Sequence, residues 1–217
     1  HDLKGPLSNL RLAHYLLRKF VSENPRPLEL LDNADVSIET MQNVIDDFLD
    51  MTALQSGHID LRIGDVAVAD VVNSLVRQYE LNALKKDITI DTHVSGVIQA
   101  DHGRLEQALG NLLSNALKYS PRGSVVTVNT GQDGEFVRIS VVDQGPGVPD
   151  DERDILFTQF GKLSARPTDG ESSTGLGLWI AKHLTQIQGG EIGVDSPAGG
   201  GSTFWIEMPA AVVHEAG

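Results

Sequence analysis

Two long apolar repeats, separated by Asn24-Pro25-Arg26-Pro27, constrain this chain more than any other feature. Leu3, Leu7, Leu10, His14, Leu17 and Val21 recur in steps of 4, 3, 4, 3 and 4, the spacing that keeps one seam of a helix turned toward a partner helix. Leu31, Ala34, Ile38, Met41, Ile45, Phe48 and Thr52 repeat the rhythm in steps of 3, 4, 3, 4, 3 and 4. The prolines between the runs lack a backbone donor and restrict the residue ahead of them, so the pattern predicts a helical hairpin over residues 1–56. Flanking apolar residues such as Leu12, Leu16, Leu30 and Leu49 leave each helix with more to bury than one partner covers. Two copies associating as a four-helix bundle is the economical solution. With Leu3 and Leu10 at d and Leu7 and His14 at a, His1 falls at b, on the solvent side and within reach of another domain. His14 lies in the seam and reads as a partly buried packing histidine with one hydrogen bond. Gly5-Pro6 inside the first helix should bend it, at about 3 kcal/mol in a helix interior. Such a kink serves either function near His1 or bundle packing.

Ser56-Gly57 ends the second helix, and Ile59, Leu61 and Ile63 alternate as the start of a strand, so a domain boundary is expected here and a second domain over residues 62–210. An amphipathic helix is predicted over 68–84, and strands over 88–92 and 97–100. Asp101 is placed to cap a helix running to Lys118. Val126 and Val128, then Val137, Ile139 and Val141, alternate on either side of Asp133-Gly134, a hairpin signal. A short helix over 150–156, a last helix over 178–187 and two closing strands, 191–194 and 202–208, complete the pattern. The expected fold is α+β, a sheet covered on one face by three helices, an α/β sandwich.

Composition removes several classes of function. Lys and Arg total 17 against 30 Asp and Glu, a formal charge of −13, which argues against a nucleic-acid partner. The absence of cysteine excludes disulfides, thiolate chemistry and a Cys-ligated zinc site. No run approaches the roughly 18 apolar residues of a membrane-spanning helix, and no signal peptide is visible. The chain opens on His with no initiator Met, and is expected to be a C-terminal portion of something longer.

Three stretches of the second domain carry chemistry. In Asn111-Leu-Leu-Ser-Asn115-Ala-Leu-Lys118-Tyr119, helical spacing puts two amide oxygens and an ammonium on one face. An amide oxygen is a suitable ligand for Mg²⁺, which keeps several waters and takes other ligands from phosphate; the alternative is a solvated polar face. Asp143-Gln-Gly145-Pro-Gly147 directly follows a strand. Its glycines let backbone approach a flat ligand, and its carboxylate can accept from an exocyclic amine such as that of adenine, although the stretch alone could be a turn. Thr174-Gly175-Leu176-Gly177-Leu178 opens the last helix, where free N–H groups and the helix dipole favour phosphate. It is neither a dinucleotide fingerprint nor a Walker loop.

The order and spacing of these pieces resemble the sensor histidine kinases of two-component systems over nearly the whole chain, from His1 to about Pro209. His1 to Leu7 is similar to that family's phosphoacceptor box, Asn111 to Tyr119 to its N box, Asp143 to Gly147 and Gly175 to Gly177 to its glycine boxes, and Phe157 to Phe160 to its F box. Gly199 to Phe204 is similar to its closing strand. The resemblance implies a dimerisation and histidine phosphotransfer hairpin followed by an ATP-binding catalytic domain of the histidine kinase/Hsp90-like type. It implies ATP and Mg²⁺, autophosphorylation of a histidine and transfer to an aspartate of a response regulator receiver domain. His1 would be phosphorylated and Asp2 would polarise its imidazole. Asn115 would be the main Mg²⁺ ligand with Asn111 second, and Lys118 and Tyr119 would flank phosphate and nucleoside. Asp143 would read the adenine amine. Gly145, Gly147, Gly175 and Gly177 would shape the pocket, joined by Thr174, Leu176 and Leu178. Residues 148–174 would form a lid with Lys162 as its phosphate cation. The family implies a homodimer and a cytoplasmic, soluble portion of a bacterial-type sensor, touching a membrane only through an upstream region if at all.

Departures from the family pattern also matter. Gln159 stands between the two Phe where the family often has Arg, and Gly161 replaces a common aromatic. Kinases of this type that also dephosphorylate their partner usually carry Thr or Asn four residues after the histidine. Here that residue is Gly5, so weak phosphatase activity is expected. Two other classes remain: an ATPase of the same sandwich type in chaperones or topoisomerases, which leaves the hairpin unexplained, and a non-catalytic scaffold.

Overall fold

The computed structural model describes residues 4–20, 25–57, 59–161, 164–168, 174–197 and 199–211. The chain divides into two compact units, with the division between Ser56 and Gly57. In the first unit, helices α1 (Lys4–Phe20) and α2 (Pro25–Ser56) pack as a hairpin. The described part of α1 runs unbroken through Pro6. Helix α2 starts six residues before the apolar run that predicted it, because Pro25 and Pro27 fall in its first turn, where a missing N–H leaves no intrahelical bond unmade.

The predicted seam separates into two rows. Leu7, His14 and Ile38 are buried, whereas Leu10, Leu17, Met41 and Phe48 are 49%, 55%, 43% and 51% exposed. The a positions of α1 therefore turn inward and its d positions form part of an uncovered apolar row. His14 is buried as its seam position implied, its Nδ1 2.9 Å from Oδ1 of Asp35, while Arg18 donates to the other carboxylate oxygen at 3.0 Å.

The second unit is built on a five-stranded sheet of order β2-β4-β5-β7-β6, from β2 (Thr89–His93), β4 (Val125–Asp133), β5 (Phe136–Asp143), β6 (Glu191–Asp195) and β7 (Ser202–Pro209). β2 and β4 are parallel, and the other pairs are antiparallel. A separate pair, β1 (Gly64–Ala67) and β3 (Val97–Ala100), is linked to the end of the large sheet by the bridge between Ile98 and Ala210. The predicted first strand thus lies a few residues later than Ile59 to Ile63, which form none. Between β4 and β5, Gly134 takes φ +58°, the conformation the Asp-Gly turn requires.

Alternation decides which face is buried. Val137, Ile139 and Val141 of β5 stand beside Met208, Ile206 and Phe204 of β7, and all six are buried. Helices α3 (Val68–Lys85), α4 (His102–Tyr119) and α6 (Gly177–Gln186) pack against this layer. Asp101 caps α4, its Oδ1 accepting from the Arg104 N–H at 3.1 Å. A 3₁₀ turn, Asp150–Glu152, leads into the short helix α5 (Arg153–Leu156). The two-layer architecture is the one expected from the strand and helix periods.

Candidate nucleotide site

Asp143 is the last residue of β5, and its parity puts it at the end of the inward row Val137, Ile139, Val141. The same alternation that buries three apolar side chains therefore buries a carboxylate, which is 5% exposed. Burial pushes its pKa up from the usual carboxylate value, and the N–H groups of Gly145 and Ser202, 2.8 and 3.2 Å from Oδ1, oppose that shift. Among the described residues both donors fall on Oδ1, which leaves Oδ2 as acceptor for a ligand.

The turn after Asp143 is closed by contact on several sides. A Cβ on Gly145 would lie 2.9 Å from Asp143 Oδ1 and 3.0 Å from the Tyr119 carbonyl oxygen. Gly147 takes φ +82°, which a residue with a side chain rarely adopts. The loop between β6 and β7 supports this turn: the Gly201 N–H donates to Gly145 O at 2.7 Å. Ser196 Oγ accepts from the Val148 N–H at 2.8 Å and donates to Gly201 O at 2.9 Å. Ser196 carries no sequence signal, although the Gly199-Gly200-Gly201 run marks the loop. A cavity of about 350 Å³ adjoins the turn, lined by Pro146, Val148, Arg153 and Ser196, and none of the predicted ligand-binding residues except Gly147 contributes to its wall.

Helix α4 turns Leu105, Leu109, Leu112, Leu113 and Ala116 into the core, so Asn111, Asn115 and Lys118 fall at its half-buried margin. Gly110 admits α3, since a Cβ there would meet Leu75 at 3.3 Å. Ser114 is hydrogen-bonded to Tyr79, whose hydroxyl is held above its ordinary pKa by burial. Asn111 meets the other predicted stretch directly: a Cβ on Gly177 would lie 3.3 Å from Asn111 Oδ1. The Asn111 end of the α4 amide strip and the first turn of α6 therefore meet.

Thr174 Oγ1 accepts from the Leu176 N–H at 3.2 Å, shaping the entry to α6. Gly175 takes φ +72°, and a Cβ on it would lie 2.9 Å from the Phe160 carbonyl carbon. Leu176 is buried and Leu178 half-buried. Gly161, which replaces an aromatic common in the family pattern, is sterically required, since a Cβ would run into Ile155 O. His1, Asp2 and Lys162 lie outside the described residues.

These residues fit a nucleotide with a divalent ion. Asp143 supplies a buried acceptor for an amine, the glycines leave room that any Cβ would fill, and the ten-residue helix α6 directs free N–H groups toward anions. Asn111 and Asn115 supply neutral oxygen donors one turn apart, matching a hard cation already carrying phosphate. Among the described residues there is no cluster of three or more His, Cys, Asp or Glu for a metal, so an ion here would depend on the substrate for much of its ligation.

Comparison with known proteins gives two family matches. Residues 100–212 match the histidine kinase-, DNA gyrase B-, and HSP90-like ATPase family, and residues 1–57 match the His Kinase A (phospho-acceptor) domain. The chain is 29% identical to the sensor protein IrlS of Burkholderia pseudomallei, over 97% of this chain and 45% of that protein. It is 30% identical to two-component system protein A of Emericella nidulans, over 95% of this chain and 32% of that protein. The chain thus spans half or less of the length of these relatives. Among solved structures, full-length ShkA in complex with AMPPNP superposes with a TM-score of 0.78 at 30% identity, covering 98% of this chain and 45% of that one.

Proposed function

The chain belongs to the sensor histidine kinases, and on that premise we propose that it phosphorylates its own His1 from ATP and passes the phosphoryl group to an aspartate of a response regulator receiver domain. Residues 1–56 would form the dimerisation and phosphotransfer hairpin and residues 62–210 the catalytic domain. The observation that best supports the reading is that α4 meets both other motifs, Asn111 lying against Gly177 at the start of α6 and the Tyr119 carbonyl against the Gly145 turn that follows the buried acceptor Asp143.

Asp143 Oδ2 would accept from the adenine amine, with Gly145 and Gly147 allowing the ring to lie against backbone. The N–H groups at the start of α6 and the Lys118 ammonium would hold the phosphates. Asn115, with Asn111 second, would hold Mg²⁺, which when bound offsets charge on the phosphate oxygens. A ring nitrogen of His1 would attack the γ-phosphorus in line. The N–P bond forms, the bond from phosphorus to the β,γ-bridging oxygen breaks, ADP leaves, and the imidazole gives up a proton, with Asp2 steadying the ring from its other nitrogen. Incubation with γ-labelled ATP and Mg²⁺ is expected to leave an acid-labile, base-stable label on the protein. Release of free phosphate with no protein-bound label would point instead to a simple ATPase.

The uncovered row Leu10, Leu17, Met41 and Phe48 supports a homodimer through the hairpin. Each such side chain is already about half covered, so covering the rest contributes about 0.7–1.5 kcal/mol. Phe48→Glu is expected to shift the dimer toward the 23.4 kDa monomer in light scattering, and an unchanged mass would contradict this assignment. Gly5 presents no side chain to position a water four residues after His1. With ADP present, the protein should leave the decay of a phosphorylated receiver nearly unchanged, and strong acceleration would refute that expectation.

A further inference from the structure

The carbonyl end of α4 is crowded with donors. The Lys86 ammonium, on a residue only 5% exposed, donates to Leu117 O at 2.7 Å and Lys118 O at 3.0 Å. From a segment 50 residues further along, Thr168 brings its N–H to Lys118 O at 3.0 Å and its hydroxyl within 3.0 Å of Lys118 O and 3.1 Å of Ser120 O. A carbonyl oxygen offers two lone pairs, and a hydroxyl has one proton to give. With Lys86 and the Thr168 amide on Lys118 O, the Thr168 hydroxyl is directed to Ser120 O. Thr168 therefore grips two carbonyls of the helix end while Lys86 holds it from the buried side. The same turn of chain carries the Lys118 side chain, and the Tyr119 carbonyl abuts Gly145. At the other end of the described segment 164–168, the Ser164 N–H donates to both Glu152 carboxylate oxygens at 3.1 Å.

We propose that Thr168 is a positioning residue for nucleotide binding, tying the segment 164–168 to the last turn of α4 so that Lys118 and the turn at Gly145 stay aligned on the ligand. The inference rests on the nucleotide-binding reading above. Thr168→Val keeps the shape and the backbone N–H and removes only the hydroxyl bond, whereas Thr168→Ser keeps that bond. On the full chain, Thr168→Val is expected to raise the dissociation constant and KM for Mg-ATP about three- to tenfold, the worth of one neutral hydrogen bond. The rate at saturating ATP should be little changed, and Thr168→Ser should restore wild-type affinity. Unchanged affinity in Thr168→Val, a loss that serine fails to rescue, a loss confined to kcat, or one that merely follows a lowered unfolding temperature would each overturn the inference. No nucleotide binding by the unaltered chain would overturn the functional reading as well, which separates the two failures.

Discussion

Asp143→Asn is expected to weaken Mg-ATP binding about 100-fold, from the loss of a charge-assisted hydrogen bond worth about 1.5–3 kcal/mol and its replacement by a donor facing a donor. The same change should make the protein more stable. Asn can keep its carbonyl oxygen toward the Gly145 and Ser202 N–H groups, so the turn stays closed, while the buried charge disappears. A gain of about 1 kcal/mol would raise Tm by about 2–4 °C in a protein of this size.

The pH dependence follows from the same burial. The Asp143 pKa is raised in the folded state above its ordinary value of 3.8, so the folded form binds the proton more tightly than the unfolded form. Between the two values stability rises as pH falls, and the burial penalty is fully present above the folded pKa. Adenine recognition by the carboxylate should weaken over the same interval. Asp143→Asn should flatten this contribution to both curves. Calorimetric titration with Mg-ATP and scanning calorimetry across pH measure the two effects, and a variant that lost both stability and affinity would contradict this account of the site.

The periods of the sequence made much of the fold legible. Residues 137, 139, 141 and 143 share one parity, so the strand pattern that located the core also located the carboxylate at its edge. The i, i+4 spacing put Asn111 and Asn115 on one margin of a helix. What periodicity could not supply was the meeting of separate elements. The approach of Gly177 to Asn111 depends on how α6 packs on α4, and the grip of Thr168 on Lys118 and Ser120 joins residues 50 and 48 apart. A buried lysine such as Lys86 looks in sequence like any other on a polar stretch, because its burial is decided by the helix end it satisfies. The hairpin seam was likewise visible as one stripe, but spacing did not say which of its members face the second helix of the hairpin and which remain uncovered. The start of α2 is not legible in the apolar run, because proline breaks a helix interior yet is tolerated in a first turn.

His1→Gln is expected to abolish phosphorylation altogether while leaving nucleotide affinity as it was, because glutamine preserves polarity and approximate size but offers no ring nitrogen to attack phosphorus. The other residues proposed for the nucleotide site would serve as phosphate donors, metal ligands or the amine acceptor, so none is expected to replace it. The direct test is incubation of the unaltered chain and of His1→Gln with γ-labelled ATP and Mg²⁺, followed by acid and base treatment of the labelled protein. One acid-labile, base-stable phosphate is expected in the unaltered chain and none in the variant; equal label in both, or base-labile label in either, would contradict autophosphorylation at His1.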